Sequence, residues 1–179
     1  AWGRANLSDG DAIILTEMEH HSDIVPWQML AQEMNIELRY VPVQKDLTLD
    51  MDLFEAAIEG AKLVCVVHIS NVLGVCNPVE KIIDIAHQNG ARVLLDAAQS
   101  APHQDIDFEE LGADFMAFSA HKMCGPTGIG ALLVTDDAFD EMQPFMGGGD
   151  MIETVTIRGS TYQKNEQKFE AGTPRIAEA

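Results

Sequence analysis

Residues 63–67, Leu-Val-Cys-Val-Val, are followed by a helical stretch over 78–88 and by a second apolar run over 92–96, Arg-Val-Leu-Leu-Asp. The first run has strand length and no polar residue, which is typical of a strand buried on both faces. Between the two runs, apolar side chains recur at the spacing of one helix face, and Asn89-Gly90 ends the helix. This strand–helix–strand order predicts two parallel strands joined by a right-handed crossover.

The same alternation extends in both directions from this unit. Further strands are predicted over 12–16, 36–43, 114–119 and 129–135, and further helices over 24–34 and 53–58. We therefore expect an α/β fold, a mostly parallel sheet sandwiched by helices on both faces. Residues 147–175 are polar and rich in glycine, and we expect them to form a loop excursion outside the core.

Composition restricts the possible partners. The chain has 179 residues, of which 29 are acidic and 11 basic, giving a formal charge of −18, and 46% are hydrophobic. This hydrophobic content suits a globular chain rather than a disordered one. The negative charge argues against a nucleic-acid partner, which requires a basic face, and against an anionic membrane surface. No apolar run approaches the roughly 18 residues of a membrane span, and no signal peptide is recognisable.

The three cysteines, Cys65, Cys76 and Cys124, form no CxxC pair. Free thiols in a reducing compartment are the simplest interpretation, so we expect a cytoplasmic protein. We expect Cys65 to lie in the core. Cys76 and Cys124 lie in predicted loops, where they could be reactive, but packing is the favoured interpretation for both.

The ends of the chain do not resemble natural termini. It begins with Ala1-Trp2-Gly3 instead of methionine and stops shortly after a Gly-Thr-Pro turn. The length suits one domain. We expect a fragment of a larger protein.

Polar side chains follow the predicted strands at their carboxyl ends, where open α/β sheets bind ligands. In chain order these are His20, His21, His68, Ser70, Asn71, Asp96, Gln99, Ser119, His121 and Lys122. That coincidence is more informative than any single residue, and it predicts a ligand site at this end of the sheet.

Lys122 has two interpretations. Partial burial after an apolar strand, near a histidine or a cation-binding loop, can lower the pKa of its amine enough for Schiff-base chemistry. The alternative is a solvated loop lysine, which is the commoner case for a lone lysine. Asp96 also has two interpretations. Its carboxylate could pair with a cation such as a pyridinium nitrogen, or it could cap the turn that follows.

His20 and His21 could bind a metal with Glu19 or Asp23, but no other histidine or cysteine cluster has metal spacing. Stacking of an aromatic ring on a flat cofactor is the favoured alternative. The glycine-rich residues 125–130 resemble a phosphate loop only loosely, because they lack a Walker lysine and do not fit GxGxxG after a first strand.

Taken together, these residues resemble the pyridoxal-phosphate (PLP) enzymes of the class V aminotransferase family, and within it the SUF-type cysteine desulfurases of PLP fold type I. The matching strings lie in family order at residues 19–28 (EHHSDIVPWQ), 68–74 (HISNVLG), 96–99 (DAAQ), 119–122 (SAHK), 125–130 (GPTGIG) and 169–174 (FEAGTP). The His-His…Pro-Trp-Gln string favours the SUF-type branch.

The resemblance implies a role for each candidate residue. Lys122 would hold PLP through an imine and move the Cα proton, while Asp96 would pair with the ring nitrogen. His20 would stack on the ring and act as an acid or base. The remaining residues would contact the cofactor as follows: Gln99 at its phenolic oxygen, Ser119 and His121 at its phosphate, Asn71 near the substrate, and Thr173 at the phosphate of the neighbouring subunit.

The implied activity is conversion of L-cysteine to L-alanine. Sulfur would pass to an enzyme cysteine as a persulfide, and then to a sulfur-acceptor protein for iron–sulfur cluster assembly. L-selenocysteine could follow the same path. The shared phosphate site implies a homodimer, with residues 147–175 directed towards the dimer interface.

This sequence also departs from the family pattern. An upstream phosphate-loop threonine, a C-terminal small domain, its carboxylate-binding arginine and its persulfide-forming cysteine are all absent from these 179 residues, so we expect little activity from the fragment alone. Cys124 stands where many relatives have tyrosine, and Arg175 where asparagine is usual. Two alternatives remain: another class V enzyme, such as an aminotransferase or an epimerase-like enzyme, and a non-catalytic α/β module.

Overall fold

A computed structural model describes residues 1–178, and its main sheet has six strands. In chain order they are β1 (Ala12–Thr16), β2 (Glu37–Val41), β3 (Ala61–Val67), β4 (Arg92–Asp96), β5 (Phe115–Ser119) and β6 (Gly130–Val134). Their order across the sheet is β2-β1-β3-β4-β5-β6. β1 to β5 pair in parallel and β6 pairs antiparallel to β5, which confirms the predicted mostly parallel α/β sheet.

Helices connect these strands. They are α1 (Trp2–Asn6), α2 (His21–Met34), α3 (Met51–Ala57), α4 (Val79–Gln88), α5 (Phe108–Leu111) and α6 (Asp136–Asp140). The sequence predicted α2, α3 and α4. It did not predict α1, α5 and α6, because each has five residues or fewer and is too short to show a helical period.

Two element boundaries differ from the prediction for local reasons. α2 begins three residues early because the ring of His20 accepts a hydrogen bond from the backbone N–H of Ser22 and caps the helix. Pro26 is therefore the sixth helical residue rather than part of the first turn. β2 ends at Val41 rather than at 43, because Pro42 has no N–H to continue the ladder.

Each face of the sheet carries its own hydrophobic core. Ile14 of β1 packs with the core that includes Phe54 of α3 and Ile82 of α4. Ile13 and Leu15 point the other way, into the core that includes Leu30 of α2. Alternate residues of one strand thus serve opposite faces, as the continuous apolar run predicted.

β6 does not follow that pattern. It was predicted as an apolar strand covered on both faces, but Leu132 is 46% exposed and Leu133 is 38% exposed. β5 is its strand neighbour, so β6 lies at the edge of the sheet. The prediction of burial was wrong here because apolar content specifies a strand, whereas burial depends on neighbours.

Residues 147–175 form a hairpin rather than a loop throughout. Strands β7 (Ile152–Thr156) and β8 (Gly159–Tyr162) pair antiparallel, and a 3-10 turn follows at Glu166–Phe169. Most of the segment is exposed, but Lys168 is buried and its Nζ donates to the backbone oxygen of Phe139 at 2.9 Å. The Lys168 ammonium also lies 3.7 Å from the centre of the Phe139 ring, which anchors the segment to α6. Across residues 1–178, none of the helices is both long and apolar enough to cross a bilayer.

Candidate active site

A cavity of about 520 Å³ opens at the carboxyl ends of β4 and β5. It is lined by a set of residues that the sequence placed at strand ends, namely His20, Asp96, Ser119, His121 and Lys122. Its size suits a cofactor or small-molecule ligand. The structure therefore brings together five candidate residues that are separated by up to 102 positions in the chain.

Lys122 ends a 3-10 turn that follows β5 directly. The backbone oxygen of Ala120 closes this turn by accepting hydrogen bonds of 2.8 Å from the N–H groups of Met123 and Gly125. The chain then returns as β6, with Gly130 opposite Ser119. A side chain at Gly130 would place its Cβ 2.7 Å from a backbone oxygen of β5, so only glycine allows this close return. The tight return fixes the turn that carries Lys122.

Asp96 is the last residue of β4, between β3 and β5. One carboxylate oxygen accepts a hydrogen bond of 2.8 Å from the N–H of Ala98, which is the turn-capping role considered from the sequence. Within residues 1–178, no lysine, arginine or histidine forms an ion pair with Asp96. A half-buried carboxylate that lines a cavity without a cation can accept a positively charged ligand group.

His20 stands on the cavity wall at the start of α2. Its Nδ1 faces the hydroxyl of Ser22 at 3.0 Å and accepts from the backbone N–H of the same residue at 3.2 Å. These contacts occupy one ring nitrogen and set the orientation of the imidazole. The His21 ring is 6.0 Å away and tilted by 37°, so the two rings do not stack on each other.

Apolar side chains form most of the rest of the wall. They include Trp2, Trp27, Leu94, Phe115 and Met142. None of these five residues was predicted from the sequence as a site residue. Alternation along β4 and β5 could have identified Leu94 and Phe115, but the contributions of α1 and α6 depend on long-range packing. An apolar wall beside a few polar groups is usual for a ligand site.

Three predicted residues do not line the cavity. Asn71 and Thr173 are exposed, and Gln99 is half-buried, with its backbone oxygen 2.7 Å from a ring nitrogen of His103. Their predicted cofactor contacts stay predictions.

His68 and Ser70, also singled out at a strand end, are buried away from this cavity. His68 lines a separate acidic cavity near α4, and burial lowers the pKa of its imidazole. The hydroxyl oxygen of Ser70 accepts from the N–H groups of Val72 and Leu73 at 3.4 and 3.2 Å. Both residues shape the turn after β3.

Sequence reasoning considered Glu19 and Asp23 only as metal ligands. Both are buried, although Asp23 reaches the cavity wall. Burial raises the pKa of Asp23 to about 7 and that of Glu19 well above its usual value. Across residues 1–178, no group of three or more histidine, cysteine or acidic side chains could hold a metal ion. The sequence signal that could have identified this pair is its position between the end of β1 and the first turn of α2.

The observed burial of the cysteines agrees with the prediction for Cys65 but not for the other two. Cys65 is fully buried in β3, as expected, and burial raises the pKa of its thiol. Cys76 and Cys124 are exposed free thiols, so the favoured interpretation of packing was wrong for both. Cys124 adopts a left-handed φ of 61° in the loop after Lys122.

The model of the family described as aminotransferase class V matches residues 1–179. The chain belongs to this family. A probable cysteine desulfurase from Halalkalibacterium halodurans is 51% identical over all of this chain, which spans 44% of that relative's length. This share, below one half, is consistent with the expectation of a fragment.

Several solved structures share the fold of this chain. The cysteine desulfurase CsdA from Escherichia coli superposes with a TM-score of 0.95 at 38% identity, over 99% of this chain and 45% of CsdA. Two structures of C-DES give TM-scores of 0.84 and 0.83 at 29% and 30% identity, over 94% of this chain and 46% of each C-DES chain. One has glycine covalently linked to the PLP cofactor, and the other shows C-DES, a cystine C–S lyase, with its product cysteine persulfide.

Proposed function

We propose that the complete protein is a PLP-dependent cysteine desulfurase. The observation that carries this proposal is the convergence of Lys122, Asp96 and His20 on one cavity at the carboxyl end of the sheet. The amine, the carboxylate and the aromatic ring match the needs of a pyridoxal cofactor. The names of the relatives point to the same activity.

PLP fits the residues that are present. The Asp96 carboxylate lines the cavity with no cationic partner in the described chain, and a protonated pyridine nitrogen would supply one. Ser119 and His121 lie on the same wall and can donate hydrogen bonds to a phosphate. When bound, PLP supplies an electron sink that stabilises negative charge at the substrate Cα.

Each residue of the chain then has a physical task. Lys122 would carry the cofactor and move the proton at the substrate Cα, because it is the lysine that lines the cavity. Asp96 keeps the ring nitrogen protonated. His20, oriented through Ser22, would pack against the ring and exchange a proton near the substrate. The apolar wall excludes water from this chemistry.

The proposed substrate is L-cysteine. Its carbon–sulfur bond breaks, an enzyme thiolate takes the sulfur as a persulfide, and L-alanine leaves. We place the accepting cysteine outside these residues, because the chain covers less than half of its relatives and none of its three cysteines lines the cavity: Cys65 is fully buried, and Cys76 and Cys124 are exposed elsewhere. The persulfide passes to an acceptor protein, and L-selenocysteine is a second substrate to test.

Several finer parts of the proposal follow from the sequence. We propose a SUF-type enzyme of the cytoplasm, supported by the His-His…Pro-Trp-Gln string and by three free thiols. We also propose a homodimer in which residues 147–175 face the partner and Thr173 reaches its cofactor phosphate. The exposed hairpin, with Ile157 fully exposed at its tip, supports this arrangement.

A second candidate is a C–S lyase that cleaves cystine, favoured by the likeness to C-DES. Supplying L-cysteine under reducing conditions, and separately L-cystine, distinguishes the two activities. Alanine is the product of a desulfurase, whereas cysteine persulfide is the product named for C-DES.

The test uses the complete protein with PLP and L-cysteine, and it measures alanine. Lys122→Ala should lower the turnover number by about 10³-fold or more, because the Cα proton loses its base, while PLP still binds without a covalent bond. Lys45→Ala, at an exposed lysine on a turn, is the matched control and should leave turnover unchanged. Normal alanine production by Lys122→Ala would refute the assignment.

A further inference from the structure

Two buried carboxyl groups lie directly behind the cavity, and the proposed chemistry does not use them. Glu19 follows β1 and Asp23 lies in the first turn of α2, with relative exposures of 6% and 8%. Each has one oxygen that receives no hydrogen bond from any described residue, Oε2 of Glu19 and Oδ2 of Asp23. Buried acceptors without a donor are rare and need a physical explanation.

The other two oxygens are well satisfied. Oε1 of Glu19 accepts from the hydroxyl of Thr16 at 2.6 Å and from the N–H of Val67 at 3.0 Å. Oδ1 of Asp23 accepts from the indole N–H of Trp27 at 3.0 Å. These bonds tie the end of β1, the end of β3 and the start of α2 together. Glu19 and Asp23 are also close enough that each affects the pKa of the other.

No cation compensates the pair. The ionisable groups packed against it are Cys65 from β3 and Asp96 from β4, and both add negative charge when ionised. Within residues 1–178, neither Glu19 nor Asp23 forms an ion pair. His20, His121 and Lys122 line the cavity that Asp23 borders.

Two negative charges side by side in this setting would be strongly destabilising, since neither desolvation nor repulsion is offset. We propose that Glu19 and Asp23 share one proton between Oε2 and Oδ2 in mildly acidic solution, and that this singly charged pair positions the start of α2 and the ring of His20. One proton satisfies both orphaned oxygens at once. The raised pKa values of the two groups agree with this geometry.

The charge of the Glu19–Asp23 pair also affects the electrostatic potential at Asp96. While the proton is held, the pair contributes one negative charge behind Asp96, and loss of the proton adds a second. A cation bound at Asp96 would therefore be held more tightly above the titration of the pair than below it. This last step rests on the proposed function, because the cation would be the cofactor ring nitrogen.

The first test needs no cofactor. Infrared spectra of the cofactor-free complete protein at pH 6 should show the C=O stretch of a protonated buried carboxyl group, lost as the pH rises past about 7. Asp23→Asn and Glu19→Gln should each abolish this band, because an amide N–H then donates to the remaining carboxylate. Glu33→Gln, at an exposed position of α2, is the matched control and should leave the band intact.

Absence of the band from the folded wild-type protein overturns the proposal, whatever the variants do. A band that survives in both variants also overturns it, since the proton would then belong to another group. If PLP does not bind, the proposed function fails while the infrared result still decides the shared proton.

The second test uses the protein with PLP bound. The visible spectrum of the wild-type protein should show an inflection from the titration of the pair, and Asp23→Asn should remove it while preserving the spectrum at pH 6. A purely structural role for Asp23 predicts no such change in the pH profile. Identical profiles for the two proteins would contradict the link to the cofactor.

Discussion

The two ends of the main sheet differ in whether their buried acidic side chains have cationic partners. At the amino end, the carboxylate of Asp114 accepts from Arg92 at 2.7 Å, from the N–H of Val93 at 2.8 Å, and faces the His87 ring at 2.9 Å. At the carboxyl end, Glu19 and Asp23 each keep an oxygen without a donor, and neither has a cation. Both acid sites are largely excluded from water.

The amino end of the sheet therefore carries a stabilising polar network, whereas the carboxyl end carries the candidate site. Arg92 also bonds Glu141, whose pKa is lowered by the guanidinium, and Glu141 accepts from the indole of Trp2. The amino end is thus a closed polar network that joins α1, β4 and the end of α6. The carboxyl end leaves charge uncompensated where a ligand can approach, which is where parallel sheets place their sites.

The largest expected effect is the pH dependence of stability at the carboxyl end. Because burial raises the pKa of Asp23 from 3.8 to about 7, the folded chain binds more protons than the unfolded chain between those values. Stability from this group is therefore full below about pH 4 and is lost as the pH rises towards 7. The loss amounts to about 1.4 kcal/mol for each pH unit.

Asp23→Asn removes this titration, so its unfolding free energy relative to wild type should increase from pH 4 to pH 7. Urea unfolding at a series of pH values measures that difference. If the difference in unfolding free energy stays constant over this range, the pair does not take up a proton on folding. The contrast between the two ends of the sheet would then be wrong.

A smaller effect is expected at the amino end, from Asp114→Asn. The neutral amide cannot pair with the Arg92 guanidinium as the carboxylate does, so the variant should lose about 3 kcal/mol of stability. Urea unfolding midpoints provide the comparison. A loss below about 1 kcal/mol would mean that the network at the amino end is not the stabilising feature described above.

The smallest effect serves as the control for that loss. Glu33 pairs with Arg4 at 2.7 Å, but both side chains are about half exposed. Glu33→Gln should therefore change the unfolding free energy by less than about 1 kcal/mol. Equal losses in Glu33→Gln and Asp114→Asn would show that burial does not separate the two ion pairs.

The sequence predicted the parts of the molecule that depend on local pattern. The runs at 63–67 and 92–96 form adjacent parallel strands, and α4 buries the predicted face. Strand ends were accurate to within two residues, and one of the two-residue differences is at the end of β2, which Pro42 stops early. The clustering of Asp96 and Lys122 followed from the rule that parallel strands end at a common edge.

Other features depend on packing that spacing does not specify. Glu19 and Asp23 are ordinary surface residue types, and their burial follows from the docking of α2 against β1 and β3. β6 resembles a core strand in composition, yet it is an exposed edge. The placements of Asn71 and Thr173 depend on loop conformations rather than on a helical or strand period.

The most direct test of the central claim is covalent trapping of PLP on this chain. The complete protein is incubated with PLP, reduced with borohydride, digested, and its peptides are analysed by mass spectrometry. The account predicts stoichiometric labelling of Lys122, and its loss in Lys122→Ala. Labelling spread over exposed lysines such as Lys45, with Lys122 unmodified, would contradict the account.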